Sequence, residues 1–315
     1  MTTTKQKVLI VGSSGFLGYH LALALRADYL VAGISFRHFS PIPNTVSFPL
    51  DPKRLDSVDI IVRFQKPDFV INAAGMHDQE LAKENGNLSD TLNSLLPVSL
   101  AVVSGRIKCK FIHINCAAVY DGESGNFKED STDLALTSEF GKQKIAAESF
   151  IRAQTMESTL LRVGKVMGIG QPHQASLFDL YRTMLSGAEN IEASTKSFDS
   201  YLSTKSFTSG LQEILKGEFP SKHRIFNLGG PRLSERDFLE GWANLITKNT
   251  GNLKNKPEDA PRDHSICSDL FEKNYPNWKQ EKARHLYENL WQDFFPAYSI
   301  PKNQRSKLNN YFPSA

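Results

Sequence analysis

Cysteine is scarce in this chain, with only Cys109, Cys116 and Cys267 among 315 residues. An odd number of cysteines without metal-ligand spacing excludes a disulfide framework and fits free thiols in a reducing compartment. Long apolar runs are missing as well. The run near the start, Val8 to Val11, is far too short for a signal-peptide core or a membrane span. Nor is there an excess of charge of one sign. Lys and Arg number 37 against 34 acidic residues, and the resulting +3 is too small and dispersed to argue for nucleic acid or a membrane surface. No cluster of His, Cys, Asp and Glu has the spacing of a metal site. These absences predict a cytoplasmic protein with no nucleic-acid, membrane or metal partner. Repeats and low-complexity stretches are also lacking, and the polar segment from Asn249 to Asp263 reads as a surface loop.

What is present is a composition able to bury a large core, 40% hydrophobic, in one large or two coupled domains. Short β-rich runs alternate with helical patterns in the first half, which predicts a parallel sheet with crossover helices. Strands are expected at Val8–Val11, Leu30–Ile34, Phe69–Asn72, Phe111–Ile114 and Leu160–Val163. Helices are expected near 16 to 27, 54 to 65, 88 to 105 and 138 to 153. In the first helix Phe16, Leu17, Leu21 and Leu25 give one apolar face. Beyond Gly168 the alternation weakens. Helices near 176 to 186, 204 to 216, 235 to 247 and 281 to 295 surround a lone strand, Ile225–Leu228.

Between the first strand and helix lies Gly12-Ser13-Ser14-Gly15-Phe16-Leu17-Gly18, with glycines at every third position. Glycine permits the tight turn, lets backbone N–H groups approach a pyrophosphate, and allows close packing of helix on strand, while the helix N-terminus faces the anion. A dinucleotide site commonly carries an acidic residue after the second strand for the adenosine ribose. No Asp or Glu occurs from Leu30 to Leu50. The strand is followed instead by Arg37 and His38, which suit a 2'-phosphate. NADP is therefore expected over NAD.

Together these residues resemble the extended short-chain dehydrogenase/reductase family, in its dTDP-4-dehydrorhamnose reductase-like branch, over nearly the whole chain. Leu50-Asp51 is similar to the pair bordering the adenine, and Asn72-Ala73-Ala74-Gly75 to the motif lining the cofactor ribose. Asn93 falls at a helix asparagine of the family. Leu161 to Gly168 is similar to the segment leading into the substrate lobe. Phe226 to Gly230, Ser234 to Phe238 and Pro261-Arg262-Asp263-His264-Ser265 resemble later family segments. The resemblance implies an α/β, Rossmann-type, doubly wound sheet. It places an NADP-binding domain at 1–167 and a smaller, mostly substrate-binding lobe at 168–315, with 225–230 a candidate to return to the main sheet. It also implies a small-molecule substrate such as a nucleotide-linked sugar. The layout is similar to the regulatory beta subunit of methionine adenosyltransferase, which implies a protein partner and a non-catalytic role as the alternative.

Reducing a ketone requires a hydride, a proton for the developing alkoxide, and a donor to that oxygen. In the family the last two come from Tyr, Lys and Ser/Thr. Here the Ser/Thr place is Cys116, whose thiol is a weak donor, and the Tyr place is Phe140, which donates nothing. Lys144, four residues after Phe140, shares its helix face and keeps the family's ribose-binding position. Cys116, Tyr120 and His77 are the remaining candidates to supply a proton, with a buried small hydrophobe, a packed aromatic and a loop histidine as the stronger readings in turn.

Overall fold

The computed structural model describes residues 5–36, 42–76, 82, 84–154, 157–170, 180, 183–184, 190–217, 224–246, 252–257 and 260–298. The chain divides into two compact units. The first comprises 1–121, 129–163 and 210–227, and the second 122–128, 164–209 and 228–315.

In the first unit, β1 (Lys7–Val11), α1 (Phe16–Leu25), β2 (Leu30–Ser35), β3 (Val46–Pro49), α2 (Leu55–Gln65) and β4 (Phe69–Asn72) come first. They are followed by α3 (Gly86–Asp90), a π-helical turn (Thr91–Leu95), α4 (Leu96–Ile107), β5 (Lys110–Cys116), α5 (Glu139–Ala153) and β6 (Ser158–Val163). Then α6 (Thr204–Lys216), of which the part from Gly210 onward belongs to this unit, precedes β10 (Arg224–Leu228), which completes a seven-stranded sheet of order β10-β6-β5-β4-β1-β2-β3. Pairings from β3 through β6 are parallel, as the alternating pattern requires. Central strands of such a sheet are covered on both faces and read as unbroken apolar runs. Val8, Leu9, Ile10 and Val11 are accordingly all buried. The strand order reverses between β1 and β4, and in an open α/β sheet that switch point, at the carboxyl ends of the strands, is where ligands bind.

Helix α5 shows how local sequence places functional side chains. Ser138 caps it, its Oγ accepting the Gly141 N–H at 3.0 Å, and Glu139 sits in the first turn, where the helix dipole favours an anion. Phe140, Lys144, Ala147, Glu148 and Ile151 form its buried face. Glu148 and Lys144 are the exceptions on a stripe that otherwise faces the core.

In the second unit β7 (Lys165–Met167), β9 (Ser197–Ser203), β11 (Arg232–Ser234) and β13 (Arg262–His264) form a four-stranded sheet, while β8 (Ile191–Ala193) pairs with β12 (Leu253–Asn255). Helices α7 (Glu235–Ile246), α8 (Asp269–Asn274) and α9 (Ala283–Tyr298) follow β11. Tyr201 stacks on Phe238 at 4.3 Å in a core with Trp242, Leu286, Leu290 and Phe294.

Three expectations need correction. The strand at 225–228 is not alone beyond Gly168, because β8, β9, β11, β12 and β13 also lie there. The segment 249–263 is not only loop. Leu253–Asn255 and Arg262–His264 are extended because they pair with Ile191–Ala193 and Ser197–Asp199, partners remote in sequence. The helix near 88 to 105 is interrupted by the π-helical turn at Thr91–Leu95. The expected helix near 176–186 falls largely outside the described residues.

Candidate functional site

At the switch point the chain leaves β1 through Gly12, whose φ is +86°, a left-handed conformation that glycine adopts without steric cost. Its N–H and that of Ser13 bond to the Ile34 carbonyl at 2.8 and 3.0 Å. A Cβ on Gly12 would stand 2.7 Å from the Ala74 nitrogen, and one on Gly18 would collide with the Gly12 carbonyl. The turn is thus clasped between β2 and the loop after β4, with α1 packed directly behind it. Gly15 occupies the N-cap of α1 and supplies no side-chain cap. A helix start without a side-chain cap suits an anionic group. Ser13 and Ser14 are buried in this turn, and Phe16 and Leu17 open the helix.

Leu50 follows β3 with its N–H on the Ser35 carbonyl at 2.8 Å, which sets it beside the end of β2. Asp51 Oδ1 accepts the Lys53 N–H at 2.9 Å. Arg37 and His38, and His77 farther on, lie outside the described residues.

After β4, Ala73 donates to the Val11 carbonyl at 2.9 Å and Ala74 to Asn72 Oδ1 at 3.1 Å. Asn93 holds the end of this loop, which runs through Gly75, because its Oδ1 accepts the Met76 N–H at 2.9 Å and its Nδ2 donates to the Met76 carbonyl at 3.2 Å. Asn93 therefore supports the loop through its amide.

One sheet face carries a polar stripe. Asn72 and His113 are register partners, as are Asn115 and Arg162. His113 and Asn115, two apart on β5, point to the same side. Asn72 Nδ2 lies 3.1 Å from His113 Nδ1. Asparagine nitrogen donates, so Nδ1 accepts, and the ring proton is on Nε2. Nε2 is buried and has no partner among the described groups. Burial, with the Lys144 charge adding to it, pushes His113 down to about 3, and the imidazole is neutral at ordinary pH.

At the other end of the stripe Glu148 Oε2 receives Arg162 Nη2 at 2.6 Å and Glu148 Oε1 receives Asn115 Nδ2 at 2.8 Å. Asn115 Oδ1 in turn accepts the Cys116 N–H at 2.9 Å. Arg162 Nη1 donates to the Tyr120 hydroxyl at 2.8 Å, and that hydroxyl donates to Asn227 Oδ1 at 3.0 Å. Tyr120 is fully buried, and burial raises its pKa despite the cation beside it. Its proton is committed to this network. Cys116 is half-buried and not in a disulfide.

Phe140 and Lys144 complete the site. Lys144 is 2% exposed, and its Nζ lies 5.1 Å from the centroid of the Phe140 ring. Among the described residues no carboxylate pairs with it. A buried ammonium resting on an aromatic face gains a cation–π attraction but keeps N–H donors to offer an incoming oxygen. Among the described residues no group of three or more His, Cys, Asp or Glu could hold a metal, and no helix is long and apolar enough to cross a membrane.

Two parts of this arrangement escaped the sequence reading: the Asn72–His113 pair and the Glu148–Arg162–Asn115 cluster. The second left a signal, since Arg162 interrupts an apolar run that reads as a central strand. A charge there must be paired.

Residues 6–224 match the family model described as RmlD substrate binding domain. Among characterised proteins, the chain is 28% identical over half its length to the probable low-salt glycan biosynthesis reductase Agl14 of Haloferax volcanii, covering 53% of that protein. It is 25% identical to the spore coat polysaccharide biosynthesis protein SpsK of Bacillus subtilis, over 90% of this chain and 97% of that one. It is 24% identical to methionine adenosyltransferase 2 subunit beta of Xenopus laevis, over 57% of this chain and 54% of the other. The chain thus spans about half the length of two of these three relatives. Two solved structures share the fold. A hypothetical dTDP-4-dehydrorhamnose reductase from Sulfolobus tokodaii superimposes with a TM-score of 0.72 at 24% identity, over 85% of this chain and 94% of that one. The dTDP-4-dehydrorhamnose reductase of Bacillus anthracis, in complex with NADP, does so with a TM-score of 0.75 at 16% identity, over 93% of this chain and 100% of that one.

Proposed function

Because the chain belongs to the RmlD substrate binding domain family, we propose that it binds a nicotinamide dinucleotide, NADP in preference to NAD, and accepts a nucleotide-linked sugar or related carbonyl compound. In this reading the proton-delivering half of reductase chemistry is crippled. The observation that carries it is the buried Lys144 ammonium, held against Phe140 and without an anionic partner among the described residues. Half of the family's Tyr/Lys pair is kept in place, while the other half has lost its proton.

When bound, the cofactor supplies the hydride. The chain's residues then have these parts. Backbone N–H groups of the Gly12 to Gly18 turn hold the pyrophosphate, and Leu50 and Asp51 border the adenine. Arg37 and His38 take the 2'-phosphate. Ala73, Ala74 and Gly75 line the ribose side, and Lys144 donates to the hydroxyls of the nicotinamide ribose. Cys116 offers the developing alkoxide a weak thiol donor in place of a hydroxyl. Loss of a positioned general acid costs about 10² to 10⁴ in rate, and each tenfold is about 1.4 kcal/mol of barrier.

The second reading is a cofactor-binding regulatory or scaffold subunit without turnover. The commitment of the Tyr120 hydroxyl to Arg162 and Asn227 favours it, since this removes the phenol that the sequence offered as a substitute acid. Titrating NADPH against the purified protein by fluorescence tests both readings. Saturable binding is expected, and its absence overturns both. A panel of 4-keto nucleotide sugars, followed by loss of the reduced cofactor's absorbance, then separates slow turnover from none.

A further inference from the structure

Gln143 precedes Lys144 on α5, and its side chain turns toward the break between α3 and α4 rather than to solvent. Its Oε1 accepts the Ser89 hydroxyl at 2.7 Å and Asn93 Nδ2 at 3.4 Å. Ser89 Oγ in turn accepts Asn93 Nδ2 at 3.2 Å. Both partners are buried, at 1% and 2% exposure. Asn93 lies at the middle of the π-helical turn Thr91–Leu95. Such a turn inserts an extra residue into a helix and commonly marks a functional site.

The far side of this cluster is the cofactor loop. Asn93 grips Met76 by both backbone groups, Asn72 grips Ala74, and Ala74 leans on Gly12 so closely that no Cβ fits between them. An asparagine amide binds an N–H with its oxygen and a carbonyl with its nitrogen, so only one of its two flipped orientations can serve Met76. That orientation is selected from behind. The acceptor at Gln143 Oε1 draws the Ser89 proton away, leaving a Ser89 lone pair for Asn93 Nδ2. Nδ2 is thereby fixed on one side and Oδ1 on the other.

We propose that Gln143 is a positioning residue for the cofactor cradle. Through Ser89 and Asn93 it fixes the loop from Asn72 to Met76 against the glycine turn, and it ties that loop to the helix that carries Phe140 and Lys144. The inference rests on the cofactor reading above and adds a residue outside the glycine turn and the Lys144 position.

The test compares Gln143→Leu, which keeps size but removes the acceptor, with Gln143→Glu, which restores an acceptor oxygen. Two quantities are measured in the full chain: the Kd for NADPH, and amide hydrogen exchange at Met76 in the cofactor-free protein. The expected result is faster Met76 exchange and a roughly tenfold weaker Kd in Gln143→Leu, the equivalent of one net hydrogen bond, with both restored in Gln143→Glu. Unchanged Kd and exchange in Gln143→Leu overturn the proposal. So does equal loss in both variants, which would mean packing alone. If the wild-type chain binds no NADPH, the cofactor reading fails, and the exchange arm still decides. Protection of Met76 that is unaltered in Gln143→Leu overturns the positioning role, while its loss and rescue support it.

Discussion

The Nζ of Lys144 stands 5.1 Å from the centre of the Phe140 ring, and both side chains are buried. The pair keeps the geometry of a helix i, i+4 contact, and in the proposed reading its ring face stands where the family has an exchangeable phenol proton. Among the described residues Lys144 has no carboxylate partner, and in the proposed reading it meets the oxygen of a ligand.

That arrangement predicts opposite responses to Lys144→Met. Removing a buried charge that has no carboxylate partner among the described residues relieves its desolvation cost, so the melting temperature of the cofactor-free protein stays equal or rises. The Kd for NADPH weakens by roughly 10- to 100-fold, the value of a charged hydrogen bond. Calorimetry and a fluorescence titration on the same preparation check both halves.

His113 gives a pH dependence of stability. Its folded-state pKa is depressed from 6.5 to about 3 by burial and, secondarily, by Lys144. Between those values the unfolded chain binds the proton and the folded chain does not, so folding weakens as pH falls. The contribution is complete above pH 6.5 and is lost progressively on acidification toward 3. In His113→Gln, urea midpoints measured across that interval should fall less steeply than those of the wild type.

Glu148 and Arg162 are each 4% exposed at the side chain. Glu148→Gln takes away the carboxylate hydrogen-bonded to the buried guanidinium and should cost about 3–5 kcal/mol. Urea unfolding of the variant against wild type measures it. Because Asn115 hangs on the same carboxylate and holds the Cys116 N–H, the thiol of Cys116 should also alkylate at a changed rate in the folded variant.

Arg37 carries the proposed choice of cofactor. Arg37→Ala should weaken NADPH binding by about tenfold or more while leaving NADH little changed, as expected for loss of a charge-assisted contact to a phosphate. Equal effects on the two cofactors in parallel titrations would remove the 2'-phosphate assignment.

How far the sequence could be read depended on where each residue finds its partners. Val8 to Val11 and Phe111 to Ile114 announced themselves because both faces of a central parallel strand are covered, and the glycine spacing of Gly12, Gly15 and Gly18 marked the turn from the first strand into the first helix. Leu253–Asn255 and Arg262–His264 could not be recognised. Each is three residues long and largely polar, and is extended only because it pairs with residues 191–193 or 197–199. Asn93 was visible as a helix asparagine, but its work on Met76 depends on a π-helical turn that no periodicity reveals. Asn72 and His113 meet across two strands, 41 positions apart, and nothing local marks them as a pair.

The central claim, cofactor binding kept and proton delivery lost, is tested most directly by comparing keto-sugar-dependent NADPH oxidation in wild-type protein and Phe140→Tyr. The account predicts that both bind NADPH and that the tyrosine variant turns over roughly 10² to 10⁴ faster, the range of one positioned general acid. Turnover by the wild type at an ordinary enzyme rate, about 1 s⁻¹ or more, with no gain in Phe140→Tyr, would contradict it.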